Sequence, residues 1–281
     1  MEQKRYLIAM DLDGTLLPDY ATIDEKLKKI IPLLMKKGHK FVIETGRPFR
    51  SSIFVYDALG LDTPLVNYNG CLITHPKDKN YKVINEPMKY LDLLDVYNNC
   101  LDRIDNIFCE VDDHIYLYKE EKQIVPLLHF NELATLTIGD LNANLKNDAN
   151  GCLLTASREN ALYITDYVNN KFKGKMAARI WSWGNYENIV EIYPTIENKG
   201  SALHKVAQEL GFEKENIVAI GDSHNDLEMI EYAGLGVAMA NAQDCLKEIA
   251  DKVTSKTCKE VGVYYFLCDF FNLDSETLEE K

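Results

Sequence analysis

Short apolar runs alternate with polar and helical segments over the first third of the chain. Residues 6–10 form an apolar run that predicts a buried parallel strand, and residues 41–43 predict a second one. A third short apolar pair stands at residues 65–66. Helical patterns separate these runs, and this β-α-β-α-β order predicts a parallel sheet with helices on both faces.

The segment between the first two strands has the marks of a helix. Thr22-Ile23-Asp24-Glu25 has a capping-box pattern, and apolar residues follow it at helical spacing. Gly38 is well placed to end this helix. Pro32 lies inside the pattern, so we expect a kink or a shortened helix there.

The middle of the chain has a different pattern. Helix-like stretches mix with strand-like segments, and Asp112-Asp113-His114 resembles a hairpin turn between two of them. The candidates are residues 91–101, 107–111, 115–118, 152–155, 160–172, 176–182 and 189–192. Adjacent strands joined by short turns favour a largely antiparallel α+β module.

The parallel pattern returns after Pro194. Residues 217–220 form another buried apolar run, and a helical pattern opening at Asn198 precedes it. We therefore predict an α/β fold: a doubly wound, Rossmann-like core of residues 1–84 and 194–281, with an α+β domain of residues 85–193 inserted into it. The acidic tail after Asp274 predicts a solvated helix or a frayed end.

Composition narrows the class of protein. The 281 residues are 46% apolar and 27% charged, which is ordinary for a globular protein. No apolar run is long enough to cross a bilayer, and the polar start lacks a signal-peptide pattern, so we expect a cytoplasmic protein with no membrane partner. Seven scattered cysteines without a CxxC pair indicate reduced thiols rather than disulfides or a zinc site.

Charge excludes one class of partner and constrains another. The net charge of −13 argues against nucleic acid, because neutralising phosphates requires a basic surface. An anionic substrate would need a locally positive site, built from a metal ion or a few placed lysines and arginines.

Two carboxylates end the first predicted strand. Asp11 and Asp13 follow residues 6–10 directly, and their spacing can point both side chains to one side. Gly14 then allows a tight turn. Paired carboxylates here suit a divalent metal site, or a division of labour between nucleophile and acid/base. An ordinary Asp/Gly turn is the alternative from these residues alone.

Other polar loops follow predicted strands. Thr45-Gly46 offers a hydroxyl and backbone N–H groups suited to a phosphate. Asp222, Asn225 and Asp226 form an oxygen-rich cluster that matches hard cations such as Mg²⁺. Since the carboxyl ends of parallel strands share one edge, these loops and Asp11 should converge there.

Four segments of the chain together resemble a known family. Asp11–Thr15, Thr45–Arg47, Lys199-Gly200 and Gly221–Asp226 stand in the order of the four motifs of the haloacid dehalogenase-like hydrolase superfamily. The chain most resembles its Cof-type phosphatases, which carry a large α/β cap between the second and third motifs. Ala240 departs from the Cof-type pattern, which usually has glycine there.

The resemblance implies a magnesium-dependent phosphatase acting on small phosphorylated metabolites, with sugar phosphates as one candidate class. It implies that Asp11 is the nucleophile and Asp13 the acid/base. It further implies that Asp11, the Asp13 carbonyl and Asp222 bind Mg²⁺. Phosphate contacts would come from Leu12, Thr45, Gly46, Lys199 and Asn225. A hexose phosphomutase and a non-catalytic regulatory protein that binds a phosphoryl ligand remain as alternatives.

Overall fold

The computed structural model describes residues 4–122, 124–183 and 186–274, so the acidic tail after Asp274 lies outside the described residues. The chain divides into two compact units. The core unit comprises residues 4–47, 52–83 and 198–274. The inserted unit comprises Pro48–Ser51 and Ile84–Glu197.

The helices and strands follow one another along both units. The strands are β1 Leu7–Met10, β2 Lys40–Glu44, β3 Leu65–Asn67, β4 Leu72–Thr74, β5 Ile84–Asn85, β6 Asn106–Val111, β7 His114–Leu117, β8 Thr135–Ile138, β9 Gly151–Thr155, β10 Met176–Trp183, β11 Tyr186–Pro194, β12 Ile217–Gly221, β13 Leu235–Ala238 and β14 Lys252–Val253. The α-helices are α1 Glu25–Lys36, α2 Ile53–Ala58, α3 Tyr90–Cys100, α4 Leu141–Asn144, α5 Arg158–Lys171, α6 Lys199–Leu210, α7 Leu227–Tyr232, α8 Asp244–Ile249 and α9 Gly262–Phe270.

The sheet of the core unit includes, in spatial order, β14-β13-β12-β1-β2-β3-β4. Every neighbouring pair is parallel except β3 and β4. The residues of β1 are completely buried, which explains their continuous apolar run. Met10 pairs with both Ile220 of β12 and Ile43 of β2, so the loops after these three strands begin at the same level. The predicted α/β fold with a parallel core sheet is confirmed.

Helix α1 differs in detail from its prediction. Asp24, not Thr22, caps its start, because the Asp24 carboxylate accepts a hydrogen bond from the N–H of Lys26 at 2.8 Å. The helix continues through Pro32 to Lys36, so the expected shortening does not occur. Its apolar face is buried on both sides of Pro32, and this packing outweighs the loss of one backbone hydrogen bond.

The inserted unit is built on one mixed sheet in the order β10-β11-β9-β6-β7-β8. Its pairs are antiparallel except for β7 with β8. Alternate residues of β6 belong to two hydrophobic clusters. Ile107 and Cys109 pack in one cluster with helices α3 and α5, and Phe108 packs in the other. Glu110 shares the face of Phe108. Among the described residues, no helix is long and apolar enough to cross a bilayer.

Candidate active site

Asp11 follows β1 and forms an ion pair with a buried lysine. Lys199 Nζ lies 2.6 Å from Asp11 Oδ1 and 2.6 Å from Asp226 Oδ1. All three side chains are nearly or completely inaccessible to solvent. Burial lowers the pKa of Lys199, but the attraction of the two carboxylates outweighs it and raises this pKa above its usual value. Lys199 is therefore a permanent cation beside Asp11.

The start of helix α6 positions this lysine. The Asn198 side chain accepts a hydrogen bond from the N–H of Ser201 at 2.8 Å, and the Ser201 hydroxyl accepts one from the N–H of Asn198 at 3.0 Å. This reciprocal capping box makes Lys199 the first residue of the helix.

The Asp226 carboxylate is completely buried and acts as a hydrogen-bond acceptor within the site. Besides Lys199, it accepts hydrogen bonds from the backbone N–H groups of Asp222 at 2.9 Å and Ser223 at 3.0 Å. These bonds fold the loop after β12 around the carboxylate that pairs with Lys199. The carboxylate is thus occupied by three donors.

The third carboxylate, Asp222, has the features of a cation ligand. One oxygen each from Asp11, Asp222 and Asp226 lie within 4.8 Å of one another. Asp222 Oδ1 is buried and has no hydrogen-bond partner among the described residues. Burial and the nearby charge of Asp226 raise the pKa of Asp222 to about 7. Burial also raises the pKa of Asp11 well above its usual value, and Lys199 only partly offsets this. A divalent cation fits this oxygen donor set, because it would favour the ionised carboxylates.

A sharp turn brings Asp222 next to the first motif. Gly14 has a φ of +81°, and a Cβ at this position would collide with the Asp222 carboxylate. The carbonyl of Leu12, whose side chain is buried, accepts hydrogen bonds from the N–H groups of Leu16 at 2.9 Å and Leu17 at 2.8 Å. These bonds fix the turn that follows Asp11.

Asp13 forms a two-pronged ion pair with Arg47. Arg47 Nε lies 2.8 Å from Asp13 Oδ2, and Nη2 lies 2.5 Å from Asp13 Oδ1. Nη2 also donates to the carbonyl of Tyr20 at 2.6 Å. The side chain of Asp13 is 31% exposed, whereas that of Arg47 is only 6% exposed. Arg47 therefore fixes the plane of a carboxyl group that solvent can still reach.

The loop after β2 is joined to the loop after β12 through Asn69. The N–H of Asn69 donates to the carbonyl of Thr45 at 3.0 Å, and Asn225 Nδ2 donates to Asn69 Oδ1 at 2.8 Å. A Cβ on Gly46 would lie 3.1 Å from Asn69 Oδ1, so glycine allows this close approach. The Thr45 hydroxyl accepts a hydrogen bond from the N–H of Arg47 at 3.1 Å.

The structure brings every predicted site residue to one edge of the core sheet. Asp11, Lys199 and Asp222 meet directly, while Thr45, Gly46 and Asn225 meet through Asn69. Their chemical roles stay predictions. Sequence reasoning assigned no role to Arg47, although it lies in the Thr45–Arg47 motif, and none to the carboxylate of Asp226 as a partner of Lys199. Both residues lie inside the motifs, which was the available signal. The motifs do not show, however, that Arg47 pairs with Asp13 or that Asp226 pairs with Lys199.

Glu44 is a further buried acid that the sequence did not single out. It is the last residue of β2 and is completely inaccessible to solvent. Neither of its carboxyl oxygens has a hydrogen-bond partner among the residues that the structure describes. Burial raises the pKa of Glu44 well above its usual value, with Lys199 acting against this. The apolar strand pattern around Glu44 gave no sign of a neutral buried acid.

Comparisons with known proteins place the chain in a family. A family model described as haloacid dehalogenase-like hydrolase matches residues 8–267. The chain is 37% identical over 281 residues to 5-amino-6-(5-phospho-D-ribitylamino)uracil phosphatase YitU of Bacillus subtilis, covering 97% of this chain and all of that protein. It is 30% identical over 262 residues to pyridoxal phosphate phosphatase YbhA of Escherichia coli, covering 88% of this chain and 92% of that protein.

A solved structure agrees at the level of the fold. A haloacid dehalogenase-like hydrolase from Bacteroides thetaiotaomicron matches with a TM-score of 0.81 at 23% identity, covering 95% of this chain and 100% of that chain. The chain belongs to the haloacid dehalogenase-like hydrolase family, so the resemblance of its four motifs is confirmed. Within that family it is a phosphoric monoester hydrolase.

Proposed function

We propose that this protein is a magnesium-dependent phosphatase that hydrolyses small phosphomonoesters through an aspartyl-phosphate on Asp11. The observation that carries the proposal is the ion pair of the buried Lys199 with Asp11, beside an oxygen of Asp222 that has no hydrogen-bond partner within the described part of the chain. A buried carboxylate next to a fixed cation can attack a phosphoryl group, while the cation stabilises negative charge on the phosphoryl oxygens.

In the first step, a carboxylate oxygen of Asp11 forms a bond to phosphorus and the ester P–O bond breaks. The electron pair of that bond goes to the leaving oxygen, which takes a proton from Asp13. In the second step, water attacks phosphorus and gives its proton to Asp13. The bond between the Asp11 oxygen and phosphorus breaks, which releases inorganic phosphate and restores the Asp11 carboxylate.

The arrangement around the two acids supports this division of labour. Asp11 is paired with Lys199, whose charge favours the ionised form that a nucleophile needs, against the effect of burial. Asp13 is partly exposed and oriented by Arg47, as a group that exchanges a proton with a leaving oxygen and with water requires. We assign the phosphate contacts to the backbone of Leu12, Thr45 and Gly46, and to the side chains of Lys199 and Asn225.

We assign Mg²⁺ to Asp11, Asp222 and the backbone carbonyl of Asp13. The acidic donor set and the raised pKa of Asp222 support this assignment. When bound, the ion supplies positive charge that offsets repulsion between the nucleophile and the anionic substrate. The residues of the protein carry out the steps described above.

We propose that the inserted unit is the cap domain, predicted as residues 85–193, and that it sets substrate choice. The identity to YitU supports 5-amino-6-(5-phospho-D-ribitylamino)uracil as the first substrate to test, and the identity to YbhA supports pyridoxal phosphate as the second. Sugar phosphates remain a third class. None of the seven cysteines, all within the described residues, forms a disulfide bond, which supports the proposed cytoplasmic location.

A phosphomonoester panel tests the function. Release of inorganic phosphate from these three substrate classes and from an aryl phosphate is measured with Mg²⁺ and with a chelator. We expect Mg²⁺-dependent release from at least one class and none from Asp11→Asn. Conversion of a sugar 1-phosphate to its 6-phosphate without free phosphate would favour the phosphomutase alternative. Ligand binding without turnover of any substrate would favour the regulatory alternative.

A further inference from the structure

The loop after β13 is hydrogen-bonded to the loop after β12, and both belong to the core unit. The N–H of Met239 donates to the carbonyl of Gly221 at 2.9 Å, and the N–H of Gln243 donates to the carbonyl of Asp222 at 2.9 Å. These main-chain bonds hold the backbone of Asp222 in place. They do not set the rotation of its carboxylate, which therefore depends on side-chain contacts.

The side chain of Asn241, in the loop after β13, joins three segments of the core unit. Its Nδ2 donates to the carbonyl of Gly14 at 2.8 Å and to Asp222 Oδ2 at 3.4 Å. Its Oδ1 accepts a hydrogen bond from the N–H of Cys258 at 2.7 Å. Because a side-chain amide has two N–H donors and one carbonyl oxygen, both ends of the Asn241 amide are engaged.

The segment that holds Asn241 Oδ1 is itself a closed turn. The Glu260 carboxylate accepts hydrogen bonds from the N–H of Thr257 at 3.1 Å and from its hydroxyl at 2.7 Å. The N–H of Gly262 donates to the carbonyl of Thr257 at 2.9 Å. Asn241 is exposed to solvent, yet its amide is tied to this turn through Cys258, so its orientation is fixed.

The two carboxylate oxygens of Asp222 have different surroundings. Oδ2 accepts the bond from Asn241, and it is the oxygen that a Cβ on Gly14 would meet most closely. Oδ1 is buried and has no hydrogen-bond partner among the described residues. A hydrogen bond to one oxygen of a metal-binding carboxylate orients the other oxygen toward the metal. The Asn241 amide is placed to act in this way on Asp222.

We propose that Asn241 is a positioning residue for the metal site: its amide holds Asp222 Oδ2 and thereby presents Oδ1 to a divalent cation. The inference rests on the proposed Mg²⁺ site, in which Asp222 is a ligand. The bond to the Gly14 carbonyl extends this role, because the same amide keeps the turn after Asp11 next to the loop of Asp222.

Titration calorimetry of the whole chain with Mg²⁺ alone tests the proposal without any substrate. Asn241→Ala removes the amide, and the dissociation constant of Mg²⁺ is compared with that of the wild type. If Asn241→Ala does not fold, Asn241→Ser takes its place, because one hydroxyl donor cannot serve both Gly14 and Asp222.

The matched control is Gln243→Ala, which removes another side-chain amide from the same part of the chain. Gln243 Nε2 donates to Ser223 Oγ at 3.1 Å, so this variant loses a bond to the loop after β12 that does not involve the Asp222 carboxylate. A loss of folded protein would lower the number of Mg²⁺ sites per chain and leave the dissociation constant unchanged. A purely structural role is therefore distinguishable from positioning.

We expect Asn241→Ala to raise the Mg²⁺ dissociation constant by about 10- to 100-fold, the usual effect of losing a group that orients a metal ligand. Gln243→Ala should change the constant by about twofold or less. An unchanged dissociation constant in Asn241→Ala, or an equal increase in Gln243→Ala, would overturn the inference.

Asp222→Asn in the same titration separates this inference from the proposed function. If Asp222→Asn binds Mg²⁺ as tightly as the wild type, the assignment of Asp222 to the metal site fails. If Asp222→Asn weakens Mg²⁺ binding and Asn241→Ala does not, only the positioning role of Asn241 fails.

Discussion

The guanidinium of Arg47 holds both carboxylate oxygens of Asp13, with Nε 2.8 Å from Oδ2 and Nη2 2.5 Å from Oδ1. Two parallel bonds from a planar group fix the rotation of the carboxyl as well as its position. Lysine supplies a charge but no such fork.

If Asp13 has its proposed role, Arg47→Lys should lower kcat for an alkyl phosphate by about ten- to a hundredfold, because a freely rotating carboxyl group would be a poorer acid and base. Steady-state kinetics measures the effect, with KM expected to change less than kcat. Arg5→Lys, an exposed arginine of the same unit, is the matched control. An unchanged kcat in Arg47→Lys would show that orientation of Asp13 does not limit the reaction.

Lys199 compensates two buried carboxylates at once. Its replacement in Lys199→Met should lower the free energy of unfolding by about 3–5 kcal/mol, because Asp11 and Asp226 then remain buried without a cation. Urea unfolding measures this. In Lys199→Met with Asp226→Asn, part of the stability should return, since one uncompensated charge is gone. Strictly additive losses would contradict direct coupling of the two residues.

The raised pKa of Asp222 makes the stability of the metal-free protein depend on pH. The folded state binds this proton more tightly than the unfolded chain, in which the pKa is about 3.9. The resulting stabilisation is present at low pH and is lost as pH rises through about 7. Without metal, the free energy of unfolding should therefore fall between pH 4 and pH 7, a range set by these pKa values.

Mg²⁺ should act in the opposite direction, because at the proposed site it would bind the ionised carboxylates. At a concentration about 100-fold above its dissociation constant it should add about 2.7 kcal/mol, and this gain should shrink as the carboxylates become protonated at acid pH. Thermal unfolding with Mg²⁺ or with a chelator across this pH range measures both effects. Asp222→Asn should flatten the pH dependence and reduce the gain from Mg²⁺. An equal gain from Mg²⁺ in Asp222→Asn would remove Asp222 from the metal site.

Glu44 is buried, and neither of its carboxyl oxygens has a partner within the described part of the chain. The raised pKa of Glu44 favours the neutral acid in the folded protein. The contribution of Glu44 to the free energy of unfolding therefore falls as pH rises through that pKa. Glu44→Gln has nearly the same shape and cannot ionise. We expect it to raise the free energy of unfolding by about 1–3 kcal/mol at alkaline pH, with a smaller gain at acid pH.

Urea unfolding of Glu44→Gln at several pH values checks this expectation, and Glu44→Ala controls for the cavity left by a shorter side chain. A glutamine variant less stable than the wild type at alkaline pH would mean that the Glu44 carboxylate itself is needed.

The parts of the fold that the sequence predicts best are those that one physical rule determines. The apolar runs within β1, β2 and β12, residues 7–10, 41–43 and 217–220, are uninterrupted because parallel strands are covered on both faces. The polar residues that end β1 and β12 then meet because neighbouring parallel strands end at one edge. These two rules are sufficient to bring Asp11 near Asp222.

Features that depend on distant partners could not be predicted in the same way. The sequence around Pro48–Ser51 does not show that this segment packs with the inserted unit. The segment binds through hydrogen bonds from Arg50 to Glu110 and Asp113, and these two residues lie about 60 positions later in the chain. Strand β8 was also missed, since most of its residues are exposed and its place is set by pairing with β7. The choice of Asp24 over Thr22 as the α1 cap is a local competition between two good capping residues.

The central claim is that Asp11 carries the phosphoryl group during turnover. Acid quenching of the Mg²⁺-loaded enzyme during turnover, followed by mass spectrometry of its peptides, tests this claim directly. We predict a phosphate adduct on Asp11 that forms and decays at rates consistent with kcat, and none in Asp11→Asn. Full turnover without any adduct on Asp11, or retained activity in Asp11→Asn, would contradict the account.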